Sequence, residues 1–202
     1  EKAVSVDFEN EASNERPVQH AAIAFLVGSE NLDNPSGLIR KVIDSEDAAL
    51  LQSLVEWVGW QDLEHFDDKR EKLTKLWRIL YDRLNDVRGQ DEFREAIAQT
   101  SRWAKHFESL DDEKVEWLKL AADNFTMTHD GYELAEELVR LADNSPHEVG
   151  KICKYVADNS PSGFPILDEI QKVVRKLYEQ DEKEVADYIC NRYGELGAYD
   201  KF

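Results

Sequence analysis

Leu141-Ala142-Asp143-Asn144-Ser145-Pro146-His147-Glu148 is the stretch on which the fold reading turns. An apolar helix end runs into an Asp-Asn turn, and a second helix opens immediately. Ser145 offers an N-cap oxygen to the orphan amides of that helix, Pro146 presets φ at its first position, and Glu148 stands at the third, which together make a capping box. Val149, Ile152, Cys153 and Val156 then follow at 3–4 spacing, the period of a helix with one buried face. The wording recurs. Val156-Ala157-Asp158-Asn159-Ser160-Pro161 repeats it after 15 residues, and Ala122-Asp123-Asn124 precedes it by 20. Each interval holds one helix and one turn, so a tandem pair occupies about 35 residues, within the range of helical-hairpin repeats.

The same period runs through the rest of the chain, which has only 9 Gly and 5 Pro in 202 residues to interrupt it. A first helix is predicted over 15–27, with Pro17 in its first turn and Gly28 as its stop. The Asn34-Pro35-Ser36-Gly37 loop follows, then a helical pattern from Leu38 to Trp57 with a break near Asp44-Ser45. Asp68 and Glu71 make a capping-box start for a helix whose stripe is Leu73, Leu76, Trp77, Leu80 and Leu84. A further helix over 90–108 places Phe93, Ile97, Thr100, Ala104 and Phe107 on one side. Asp111, Asp130 with Glu133, and Asp181 with Glu184 are read as caps of later helices. The alternation Ala3-Val4-Ser5-Val6-Asp7-Phe8 fits a short strand or a mobile arm. The expected fold is all-α: an antiparallel helical array of about nine helices, either an irregular α-solenoid or two stacked bundles. The expected organisation is an acidic arm over 1–14, a helical subdomain over 15–108, and helical-hairpin repeats over 109–202.

Ala186, Ile189, Cys190, Tyr193, Gly197 and Tyr199 resemble the first helix and turn of a tetratricopeptide repeat. That family sets apolar, small and aromatic residues at this spacing, with a Gly and an aromatic in the turn. With the periodicity elsewhere, the resemblance implies an α-helical repeat protein of tetratricopeptide or HEAT style. It also implies a chain that stops midway through a repeat, as a piece excised from a larger protein would, and the opening Glu1 agrees with that.

Charge narrows the partners. Lys and Arg number 25 against 43 Asp and Glu, a net −18, so phosphate neutralisation cannot hold nucleic acid to the chain as a whole, nor anionic lipid to a polybasic face. Hydrophobic residues at 42% supply a core and exclude intrinsic disorder. The longest apolar run, Ala21 to Val27, falls far short of the roughly 20 residues that span a bilayer. Two cysteines, Cys153 and Cys190, at apolar helix positions read as small buried hydrophobes, which suits a reducing, cytoplasmic setting.

The motifs of several chemistries are missing. There is no GxxxxGK[ST] phosphate loop, no GxGxxG and no GxSxG, and Gly194-Glu195-Leu196-Gly197 lacks the basic neighbours of an RNA-clamping loop. His20, His65, His106, His129 and His147 are dispersed, and Asp62 with His65 reads as a solvated helix face. No catalytic, cofactor-binding or metal-ligating residue is assigned, and no cofactor is expected. Binding candidates remain: Trp60, read first as a core residue and second as a partner anchor, Phe66, and Lys69, Lys72, Arg175 and Lys176 in two local basic runs, read first as i,i+4 partners of nearby carboxylates and second as an anion-binding groove. The expected function is a non-catalytic interaction, scaffold or regulatory module whose partner is another protein or a domain of the same polypeptide. The alternatives are an accessory or sensor domain of a nucleotide-hydrolysing or nuclease-type enzyme, and a stand-alone enzyme with a carboxylate-lined pocket.

Overall fold

The apolar stripes of the sequence become buried helix faces. A computed structural model describes residues 15–28, 31–60, 70–125, 128–159 and 167–195. Among these are ten α-helices, two 3-10 segments and no strand, an all-α array. The Ala3–Phe8 alternation, the Asp68 cap and the 1–14 arm lie outside the described residues. Two compact units divide the chain between Ala96 and Ile97. The 15–108 and 109–202 boundary expected from sequence falls later, beyond the 3-10 segment Gln99–His106.

The N-terminal unit contains α1 (Glu15–Val27), α2 (Leu38–Ile43), α3 (Ala48–Trp60) and α4 (Arg70–Asp86). Gly28 ends α1 at φ +87°, a left-handed conformation that glycine adopts without steric cost, and donates its N–H to Phe25 O at 3.0 Å. Lys72 Nζ donates to Leu26 O at 3.2 Å and so places a cation at the negative end of the same helix. The break between α2 and α3 falls where the sequence places it. Asp47 Oδ1 accepts from Ala49 N at 2.9 Å and Leu50 N at 3.4 Å, capping α3. Along α4, Leu73, Leu76, Trp77, Leu80 and Leu84 are all buried, the stripe read from the sequence. α1 packs on α2 and α3, and α2 on α3 and α4.

The predicted helix over 90–108 is three pieces: a 3-10 turn Asp91–Phe93, α5 (Arg94–Ala98), and the 3-10 segment Gln99–His106. Its apolar side is buried as expected, yet Gln99, Thr100 and Ser101 are buried with it. Thr100 Oγ1 donates to Ile97 O at 2.7 Å, an i−3 acceptor that suits the tighter winding.

In the C-terminal unit come α6 (Asp112–Asp123), α7 (Thr128–Leu141), α8 (Pro146–Asn159), α9 (Leu167–Glu179) and α10 (Lys183–Glu195). Each element packs on the one two places further along: Gln99–His106 on α7, α6 on α8, α7 on α9, and α8 on α10. Gln99–His106, α7 and α9 thus make one layer and α6, α8 and α10 the other. Trp103 and Trp117, both buried, meet edge-on at 5.9 Å where the first elements of the two layers touch.

Three caps differ from the sequence reading. Ser145 Oγ, expected to cap α8, accepts instead from Leu110 N at 2.8 Å. α7 begins at Thr128, so Asp130 lies inside it, and Glu133 pairs with Arg102 at 2.8 Å. Asp181 is the left-handed residue that ends α9, at φ +65°, with Glu182 N donating to Leu177 O and Asp181 N to Tyr178 O in a Schellman closure. Asp111 does cap α6, accepting from Lys114 N at 2.9 Å.

Candidate interaction surfaces

Four of the six binding candidates, Trp60, Lys72, Arg175 and Lys176, lie among the described residues. Trp60 is the last residue of α3 and stands 58% exposed, whereas Trp77 on α4 is buried in the core. Phe66 and Lys69 lie outside the described residues. Lys72 is held by Leu26 O, as above, and Lys176 pairs with Asp143 at 2.6 Å. Arg175 is exposed and, among the described residues, has no ion pair. The neighbouring bases are likewise engaged within the chain: Lys75 with Asp33 at 3.5 Å and Lys172 with Glu169 at 3.0 Å. Of the four that are described, Trp60 and Lys72 belong to the N-terminal unit and Arg175 and Lys176 to the C-terminal unit.

The recurring Ala-Asp-Asn has a structural role that the sequence alone does not reveal. It stands at the C-terminal ends of α6, α7 and α8, and each Asp accepts from the helix two places on. Tyr155 of α8 donates to Asp123 at 2.7 Å, Lys176 of α9 to Asp143 at 2.6 Å, and Tyr188 of α10 to Asp158 at 2.6 Å. Lys119 lies 5.3 Å over the Tyr155 ring, and Lys154, 35 residues later, 4.4 Å over that of Tyr188. The Asn side chains close their own helix ends or the preceding loop. Asn124 donates to Leu120 O and Asn159 to Tyr155 O, both at 2.8 Å, and Asn144 to Glu108 O at 3.1 Å. One layer start is tied similarly, with Arg140 of α7 donating to Ala104 O at 2.8 Å and Phe107 O at 2.9 Å.

These contacts shift the tyrosines. Desolvation, with the Asp123 hydrogen bond behind it, pushes Tyr155 up to about 12. The Asp158 hydrogen bond raises Tyr188, and the Asp187 hydrogen bond, 2.5 Å long, raises Tyr178. Burial pushes the Cys153 thiol up to about 12 and raises half-buried Cys190, so both free thiols are protonated at neutral pH and lack thiolate nucleophilicity.

A cleft of about 320 Å³ lies in the N-terminal unit, lined by Arg40, Ile43, Asp44, Ile79, Asp82, Arg83 and Asp86. Arg40 pairs with Asp44 at 2.8 Å. Arg83 donates to Ser45 O at 3.0 Å and lies 5.8 Å from the Phe93 ring centre. Asp82 and Asp86 lie one turn apart on α4. Among the described residues, no group of three or more His, Cys, Asp or Glu could hold a metal ion, and no helix is long and apolar enough to cross a membrane. Comparison of the chain with protein-family models, curated proteins and solved structures returns no match.

Proposed function

We propose that the chain is a non-catalytic helical module that recognises another protein, or another domain of the same polypeptide, in a scaffold or regulatory role. The observation that carries this reading is the stacking of each element over 97–202 on the one two places further along. Hairpins stacked in one direction leave a long face whose outer residues can vary without disturbing the core. The Lys-Tyr-Asp arrangement recurs with its Lys and Asp 35 residues on and its Tyr 33 residues on, which supports an irregular repeat of tetratricopeptide or HEAT style. Trp60 is the anchor candidate, because a large aromatic face in solvent is costly to leave uncovered and rewarding to bury.

The test is affinity capture with the wild-type chain and with Trp60→Ala and Arg175→Glu variants matched in melting temperature. Each recovered protein is then purified and titrated into the purified chain by calorimetry. A bound partner whose affinity falls roughly tenfold or more in Trp60→Ala supports the reading. Equal affinity for all three chains overturns Trp60 as the anchor, and failure of every recovered protein to bind in the titration overturns the module.

A further inference from the structure

We draw no further inference here: the strongest candidate, the cleft between α2 and α4 lined by Arg40, Asp44, Asp82, Arg83 and Asp86, has its arginines held by the chain's own groups and offers beyond them only an acidic cluster, with nothing in the structure that points to a ligand.

Discussion

Ser145→Ala tests the tie between two successive turns of the C-terminal unit, the one before α6 and the one before α8, most directly. Sequence assigns the Ser145 oxygen to the amides of α8, but Oγ accepts instead from Leu110 N at 2.8 Å, across 35 residues. Both residues are buried, at 3% and 7% exposure, so water cannot replace the lost acceptor. Deleting it strands an N–H donor, which costs about 1–3 kcal/mol, well above the net worth of an exposed hydrogen bond. In urea, with a slope of about 2 kcal/mol/M for a unit of this size, the midpoint should drop by roughly 1 M. Ser109→Ala is the control, since Ser109 is exposed and, among the described residues, only its backbone oxygen is engaged, by Lys114 Nζ at 3.1 Å. Ser145→Thr keeps the oxygen and should restore most of the loss. If Ser145→Ala unfolds within about 0.5 kcal/mol of Ser109→Ala, the buried tie is not holding the loop, and the reasoning is wrong.

Gly150→Ala should destabilise by about 1 kcal/mol despite the better helix propensity of Ala, because a Cβ there meets Val185 Cγ1 of α10 at 2.9 Å. Chemical denaturation of Gly150→Ala with Val185→Ala should show strong non-additivity, and a stabilising single mutant would refute the clash. Asp181→Gly should raise the melting midpoint by roughly 2 °C by relieving a left-handed residue, and calorimetry showing a fall would count against it. At high pH the sign follows from Tyr155. Its folded-state value of about 12 lies above the unfolded value of about 10, so its stabilisation is present below pH 10 and lost as pH climbs through 12. Tyrosinate absorbance should therefore rise together with loss of far-UV circular dichroism in that window, and smooth titration near pH 10 with helices intact would contradict the reading.

Local signals reported local structure well. The Gly28 stop, the break near Asp44, the Asp111 cap and the α4 stripe are decided within one or two turns of chain, which is the range over which periodicity and capping act. The 3-10 winding at Gln99–His106 was not legible, since the segment buries Gln99, Thr100 and Ser101 and packs on α6 and α7, and neither feature is set by local sequence. Asp181 was misread for a similar reason. An Asp three residues before Glu184 suits an N-cap, but closure of α9 claimed it first. The candidate site fared less evenly. Trp60, read first as a core residue, is 58% exposed at the end of α3, while Lys72 and Lys176 are committed to partners 46 and 33 residues away that no i,i+4 rule could name.

The repeated Asp carries the same lesson in its sharpest form. Net charge is −18, and an excess of carboxylates invites the reading that each one only solvates a helix face. A carboxylate at a helix C-terminus, however, opposes the macrodipole and costs about 0.3–1 kcal/mol near the surface. Asp123, Asp143 and Asp158 occupy that position on three consecutive helices, so a locally unfavourable choice has been made three times. Each is offset by a donor from the helix two places on, through Tyr155, Lys176 and Tyr188. A conflict between local preference and position, when it recurs, signals a non-local contact. The turn wording that looks like helix punctuation therefore also sets the register between neighbouring hairpins. The part of the −18 that sits at these turns is therefore structural: each of these carboxylates holds one hairpin to the next as well as facing solvent.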